Sequence, residues 1–211
     1  MTITVDLLKS NDFIEQQILK EIASNLNKSL AKNKNKITAP LKRAIEGWLL
    51  GSPEVQSLLS TGDIRSLNSL FGLSPGAGAS AVSSIINSVA NSVDIKFTKI
   101  SSKDLSGSLE ISFQKTDFSN ILSLPQGHQV TEVGTDLHWL DWLLTKGDAV
   151  IIAGFFYDPT GDGRSGGGVM KVGGTFRVPP QYSGTTDNNF ITRAFANKNA
   201  QISKILSSIL K

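Results

Sequence analysis

The stretch LHWLDWLLTKGDAVIIAGFFYDPTGDGRSGGGVMKVGGTFRVPPQYSGTTDNNFITRAFA, residues 137–196, decides the predicted fold. Its first part, 137–145, places two tryptophans and several leucines at helical spacing, which predicts a short helix. A continuous apolar run at 149–157 is typical of a strand that is covered on both faces. A glycine-rich tip and a second strand complete a hairpin over 149–178. A proline turn then leads into the last helix.

Upstream of this stretch the chain is predicted to be helical. Apolar residues recur at intervals of four over 11–32, which indicates an amphipathic helix. Pro40 suits the first turn of a second helix. The glycine- and proline-containing segment 72–78 is a clear break. The sequence therefore predicts a helical N-terminal region, 1–75, followed by an α+β domain, 76–211.

The remaining predicted elements complete an α+β fold. Helices are expected at 54–60, 63–71 and 79–92, and a C-terminal helix at 187–210 capped by Thr185, Thr186 or Asp187. The last residues of that helix are expected to dock on the first helix or on another chain. Apolar and polar residues alternate at 93–97 and 109–113, which predicts two antiparallel strands. Further short segments are expected at 118–124 and 130–133.

Composition excludes several classes of function. The chain of 211 residues has no cysteine, so disulfides, thiolate metal sites and cysteine nucleophiles are ruled out. No apolar run reaches the length of a membrane span, and no signal peptide is expected. A net charge of +3 is too mild to indicate nucleic-acid binding by itself.

The hairpin tip contains two catalytic motifs that lack their structural context. Gly161, Gly163 and Gly166 match a dinucleotide fingerprint, but a strand pattern follows where the fingerprint requires a helix. Ser165 lies in a Gly-x-Ser-x-Gly pattern, but both histidines of the chain precede it, whereas the triad histidine of such hydrolases follows the serine. We therefore expect no cofactor and no enzymatic activity.

Metal binding is not predicted either. Asp158 and Asp162 resemble part of a calcium loop, but position 12 of such a loop is Val169 and not glutamate. His128 and His138 are expected to support no transition-metal cluster, because no cysteine accompanies them. His138, next to Trp139, is expected at the boundary of the core.

Interaction surfaces are the remaining prediction from the residues themselves. The helix that carries Trp139 and Trp142 is expected either in the core or clamped between this subunit and a neighbour. Ordering a glycine-rich tip costs on the order of 1 kcal/mol per residue, which a contact surface can offset. Arg164 at this tip is suited to a carboxylate or phosphate of a partner.

Three segments together resemble a known family. The Leu-x-Trp-Leu-x-Trp-Leu-Leu pattern lies at 137–147, Gly-Arg-Ser-Gly-Gly-Gly-Val-Met at 163–170, and Phe-Arg-Val-Pro-Pro-Gln-Tyr-Ser-Gly-Thr-Thr-Asp-Asn-Asn-Phe-Ile-Thr-Arg-Ala at 176–194. This order and spacing is similar to the C-terminal signature of tailed-bacteriophage virion proteins of the neck and head–tail junction. The resemblance covers about the last 60 residues.

The resemblance implies a ring-forming structural subunit, of tail-completion, neck or tail-terminator type, that joins the capsid portal to the tail. Its partners would be copies of itself, portal or adaptor proteins and tail proteins, with non-specific DNA contact in the lumen from 28–36 or Arg193. It would reside in the virion, assembled in the cytoplasm of the bacterial host, without membrane contact. The residues expected at interfaces are Trp139, Trp142, Arg164, Met170, Arg177, Tyr182 and Arg193.

Two other classes of function stay open at this point. A non-viral binding module would use the glycine-rich hairpin as a ligand clamp, and would be a monomer with a concave site. An enzyme of unfamiliar type would need a convergent set of titratable groups, of which the sequence offers few.

Overall fold

The computed structural model describes residues 10–115, 117–130, 134–163 and 168–209 and has an α+β fold. The helices are α1 (Asn11–Leu50), α2 (Pro53–Leu59), α3 (Leu67–Leu70), α4 (Ala77–Asn91), α5 (Ser119–Leu122), α6 (Leu140–Leu144), α7 (Phe190–Phe195) and α8 (Asn199–Ile209). The strands are β1 (Asp94–Thr98), β2 (Ser108–Ser112), β3 (Gln129–Val130), β4 (Asp136–Leu137), β5 (Ile152–Asp158) and β6 (Val169–Phe176). Consecutive strands pair as three antiparallel two-stranded sheets.

The first helix is the largest departure from the predicted elements. Two helices separated at Pro40 were expected, but α1 is one helix of 40 residues with Pro40 inside it. At 1.5 Å per residue it is about 60 Å long. The Ser10 hydroxyl accepts a hydrogen bond from the backbone N–H of Phe13 and caps its start.

Packing on either side of Pro40 explains why the helix continues. A proline inside a helix costs about 3 kcal/mol relative to alanine. Ile37 and Leu41 flank it, are fully buried, and pack with Ile95 of β1. Burying each such side chain contributes roughly 1.5–3 kcal/mol, so the two together offset the cost of the proline.

The main core contains residues from both the N-terminal and the C-terminal half of the chain. It combines Ile45 and Leu49 of α1 with the hydrophobic faces of α2 and α4, with α6 and with Phe190 and Ile191 of α7. The predicted boundary at 75/76 therefore does not coincide with a break in the core, because residues before and after it pack together.

A smaller hydrophobic cluster packs α8 and the β1–β2 hairpin against the middle of α1. Ile202, Ile205 and Leu206 of α8 pack partly buried against this part of α1. The Asn27 side chain donates to the carbonyl oxygen of Ile100 at 3.1 Å and accepts from its N–H at 2.8 Å. The C-terminal residues thus dock on the first helix, one of the two positions expected for them.

The predicted C-terminal helix is divided into α7 and α8. Asn189, and not Thr185, Thr186 or Asp187, caps α7: its side-chain oxygen accepts from the N–H groups of Ile191 and Thr192. The break follows Phe195, where Asn197 adopts a left-handed backbone with φ of 61°. A left-handed residue cannot continue a right-handed helix, and asparagine is among the residues that tolerate this conformation.

Several other predicted bounds were too long. The helix expected over 137–145 is α6, only Leu140–Leu144, because Asp136–Leu137 pairs as a strand with Gln129–Val130. The helix expected over 63–71 is limited to α3, and the segment at 118–124 is the single turn of α5. The helices expected at 54–60 and 79–92 and the antiparallel strands at 93–97 and 109–113 are confirmed within two residues. Residues 131–133 of the segment expected at 130–133 lie outside the described residues.

Candidate assembly surfaces

The β5–β6 hairpin is the first surface with an unusual exposure pattern. The apolar run of β5 was expected to be covered on both faces, but the structure exposes it. Phe155 and Phe156 are adjacent, so they point to opposite faces of the strand, and they are 40% and 41% exposed. In β6, Met170 and Val172 are 37% and 83% exposed. The expectation is therefore wrong for the part of the chain that the structure describes, since these side chains are exposed there.

The edges of the same hairpin are also open. β5 and β6 pair only with each other in the described part of the chain. Each strand therefore has one edge whose backbone N–H and C=O groups face away from any described strand. Such edges are templates for pairing with another chain.

A hydrogen bond from Tyr157 is one of the contacts between the hairpin and the body of the subunit. The Tyr157 hydroxyl donates a hydrogen bond to the carbonyl oxygen of Ile64 at 2.6 Å. Partial burial, with a smaller contribution from the charge of Asp63, raises the pKa of Tyr157, so the hydroxyl stays protonated and available as a donor.

The calcium-like sequence at the tip forms a polar turn. The Asp158 carboxylate accepts from the N–H and the hydroxyl of Thr160 and pairs with the Lys171 ammonium across the hairpin. Hydrogen bonding to Lys171, and then to Thr160, holds the pKa of Asp158 well below its usual range. Both oxygens of this carboxylate are thus engaged within the hairpin.

The second surface is the N-terminal part of α1, which we call the arm (residues 11–22). No side chain in the arm is buried; the first buried residue of the helix is Ala23. The arm and the next turn carry an exposed apolar stripe consisting of Phe13, Ile14, Ile18, Ile22 and Leu26, between 36% and 54% exposed. The spacing of four that predicted a buried helix face is present, but the described residues leave the side chains of Ile14, Ile18 and Ile22 exposed.

The predicted interface residues on α6 belong largely to the core. Trp139 is fully buried and its ring centroid lies 5.3 Å from that of Phe71, so it is not a surface anchor. Trp142 is partly buried, with the Lys146 ammonium 4.7 Å above its ring. Arg164, the predicted tip contact, lies outside the described residues.

Of the other predicted interface residues, some are exposed and some pack against or pair with the rest of the subunit. Met170 is exposed on the hairpin, and Arg177 is exposed and donates to the carbonyl oxygen of Asp148. Tyr182 packs partly buried against the main core. Arg193 pairs with Glu54, which is 2% exposed, while its own side chain is 37% exposed.

Residues 184–192 make close contacts with α6. The backbone of Gly184 lies so close to α6 that a β-carbon there would be 1.9 Å from the Leu143 carbonyl oxygen. The Asn189 amide, fully buried, donates to the carbonyl oxygens of Leu144, Thr185 and Thr186. These contacts account for the spacing between the tryptophan-rich segment and the Gly-Thr-Thr-Asp-Asn-Asn segment.

Sequence reasoning missed one cluster of polar side chains. His128 and His138 were treated separately, but both approach Asp136: His128 Nδ1 lies 2.9 Å and His138 Nε2 3.3 Å from its Oδ2. Hydrogen bonding from His128 lowers the pKa of Asp136. A signal was present, since Asp-x-His places two side chains on one strand face, but the pairing with His128 depends on the register of a hairpin.

An open cleft lies at the base of the hairpin. Its lining includes Phe156, Phe176 and Pro179. Its titratable lining residues are Asp148, Tyr157 and Arg177, and the last two donate to backbone carbonyl oxygens. No described helix is both long and apolar enough to cross a membrane.

Comparison of the chain with protein-family models, curated proteins and solved structures finds no match.

Proposed function

We propose that this protein is a structural, non-enzymatic subunit of a tailed-bacteriophage virion that forms a ring at the head–tail junction. The resemblance of residues 137–196 to neck and tail-completion proteins supports the family. The exposed apolar side chains of the β5–β6 hairpin support a role in assembly. Portal or adaptor proteins on one side and tail proteins on the other are the proposed partners.

The observation that carries the proposal is the exposure of β5–β6 on both faces. An isolated two-stranded hairpin is marginally stable in water, and this one exposes Phe155, Phe156, Met170 and Val172. Large contiguous apolar patches on a soluble chain mark interaction sites. In a ring, the hairpin of one subunit would pair at its edge with the next copy and bury these side chains.

The arm provides a second contact suited to a ring. It is a helix with a stripe of apolar side chains, which packs naturally into a groove of a neighbouring subunit or onto a second helix. Cyclic rings use heterologous contacts, in which two different patches of the same chain meet. The arm and the hairpin are two such patches on one subunit.

Contact with DNA in the lumen is proposed only as a weak, sequence-independent interaction. Lys28, Lys32, Lys34 and Lys36 are exposed on α1 and are suited to phosphate contacts. Arg193 is left out of this role, because it is paired with Glu54.

Native mass spectrometry and negative-stain imaging of the purified chain, alone and with portal and tail proteins, test the proposal. A closed ring, or a monomer that becomes one with those partners, is the expected result. The variant Val172→Lys places a charge on the hairpin and should reduce ring formation at least tenfold. Val130→Lys is the matched control, since Val130 is also an exposed strand valine, at 59%, but lies on another hairpin.

A monomer that stays inert towards these partners, and is unaffected by Val172→Lys, contradicts the proposal. That outcome favours the binding-module alternative, with the cleft at the base of β5–β6 as the place to look for a ligand.

A further inference from the structure

We propose that His128, Asp136 and His138 form a binding site for a divalent transition-metal ion, with Zn²⁺ as the expected occupant. The site lies on the β3–β4 hairpin. It is separate from the β5–β6 hairpin and from the arm, and it does not depend on the proposed virion function.

The register of the hairpin explains why these three residues meet. Gln129 pairs with Leu137 and Val130 with Asp136, so His128 and His138 are the next opposed positions along the same ladder. Side chains two apart on a strand point to one face, which places Asp136 beside His138. All three side chains therefore project from the same face of the hairpin.

The spacing of the potential ligand atoms fits a single ion. One nitrogen of each histidine and one Asp136 oxygen lie within 4.8 Å of one another. Two ligands about 2.0–2.1 Å from a tetrahedral zinc ion are about 3.3 Å apart. The distance from His138 Nε2 to Asp136 Oδ2 is 3.3 Å and that from His128 Nδ1 is 2.9 Å. To bind one ion the two imidazole rings must move apart, because their centroids are 3.5 Å apart and two rings on one tetrahedral ion have centroids about 5 Å apart.

The chemistry of the donors selects the class of metal. Imidazole nitrogen suits zinc and its transition-metal neighbours, whereas Mg²⁺ and Ca²⁺ prefer oxygen ligands. The imidazole ring centroids are only 3.5 Å apart. Both rings direct a nitrogen atom at the same Asp136 oxygen, so the donor set is two imidazole nitrogens and one carboxylate oxygen.

The backbone around the site is anchored, so little ordering is needed on binding. Trp139, next to His138, is fully buried in the main core. Gly127, next to His128, is buried, and a β-carbon there would lie 3.1 Å from a Leu140 methyl group. Both histidines are thus held by neighbours that are fixed in the core, while their own side chains and that of Asp136 remain 27–48% exposed to an incoming ion.

A bound ion would link the two strands of the short β3–β4 hairpin. β3 and β4 have two residues each, which is too short for a hairpin to be stable by itself. A metal held by residues from both sides of the ladder would stabilise it, because a ligand that binds only the folded state shifts the unfolding equilibrium.

Isothermal titration of the full chain with ZnCl₂, with MgCl₂ as the comparison ion, tests the inference. We expect one Zn²⁺ per chain, no Mg²⁺ binding, and a higher Tm with Zn²⁺. The variants His128→Gln, His138→Gln and Asp136→Asn should each weaken Zn²⁺ binding at least tenfold. Asp148→Asn is the matched control, since it makes the same change in an exposed turn and should bind like the native chain.

Side-chain ¹⁵N spectra of the native histidines supply a readout that does not depend on variants. Zn²⁺ should shift one nitrogen of each ring, Nδ1 of His128 and Nε2 of His138. If neither ring responds, or if binding survives in both histidine variants, the inference is overturned. In that case the short distances represent histidine–carboxylate hydrogen bonds alone.

Discussion

The guanidinium of Arg193 on α7 donates a hydrogen bond to Oε1 of Glu54 on α2, linking residues 139 positions apart in the chain. Glu54 is 2% exposed, and its second carboxylate oxygen has no partner in the described residues. Removing one member of a buried ion pair leaves an uncompensated charge in the core.

Arg193→Ala should therefore lower the free energy of unfolding by about 3 kcal/mol. This is the lower end of the loss expected on breaking a buried ion pair, because the guanidinium is partly exposed. Urea unfolding followed by circular dichroism measures it. Arg177→Ala is the control: this exposed arginine donates only to a backbone carbonyl, so its loss should cost less than about 1 kcal/mol. Equal effects of the two variants would show that the Glu54 contact does not stabilise the fold.

The close approach of Gly184 to α6 predicts a strong intolerance to any side chain. Gly184→Ala would place a β-carbon 1.9 Å from the Leu143 carbonyl oxygen, so the backbone must move. We expect a loss of more than about 3 kcal/mol, or failure to fold. Gly47→Ala has open space around it inside α1 and should stabilise by about 0.5–1 kcal/mol. Thermal melts of both variants test this contrast, and a mild effect at Gly184 would contradict it.

The continuity of α1 predicts the effect of replacing Pro40. Pro40→Ala restores a backbone N–H in the helix interior and removes the steric conflict of the ring. The variant should be more stable by about 1–3 kcal/mol, measured as an increased midpoint of urea unfolding. If the helix is instead divided at Pro40, as the sequence predicted, proline is at a favoured first-turn position and the substitution should destabilise the chain.

The division of α1 into an arm and a packed part predicts opposite responses to the same substitution. Ile45→Ala removes a fully buried side chain and should cost about 2–5 kcal/mol. Ile18→Ala, at 54% exposure, should change the stability of the monomer by less than about 0.5 kcal/mol. Ile18→Ala should instead weaken ring formation in native mass spectrometry. A large loss of monomer stability for Ile18→Ala would mean that the arm packs on its own subunit.

The Asp158–Lys171 pair predicts a pH dependence of the hairpin tip. The folded state lowers the pKa of Asp158, so its contribution is present above the ordinary value near 3.8 and is lost as the pH falls through the folded pKa. Amide hydrogen exchange in β5 and β6 should therefore be slow at pH 5 and faster, after correction for intrinsic rates, at strongly acidic pH. Asp158→Asn should remove this dependence. The same acid response in that variant would assign it to other carboxylates.

The sequence by itself determined the α+β class, the positions of α2 and α4 and the antiparallel pairs β1–β2 and β5–β6. These elements have a clear local period, glycine or proline boundaries and nearby partners, so local rules are sufficient. The hairpin at 152–176 was predicted for the same reason, although each strand is shorter than its apolar run.

Only the tertiary structure decided what covers each apolar face. The spacing of Ile14, Ile18 and Ile22 is the same as that of Ile37, Leu41 and Ile45, yet the first set is exposed and the second is buried. Periodicity identifies an apolar face but does not state whether another part of the same chain reaches it. Packing beside Pro40 likewise outweighed the local preference for a helix end.

The polar clusters depended on tertiary structure even more. Glu54 contacts Arg193, and His128 contacts His138. The residues of each pair are separated in the sequence, and no local motif predicts either contact. Register and helix packing bring these side chains together after the backbone is in place. The sequence determined which ionisable residues were present, and the fold decided which of them became neighbours.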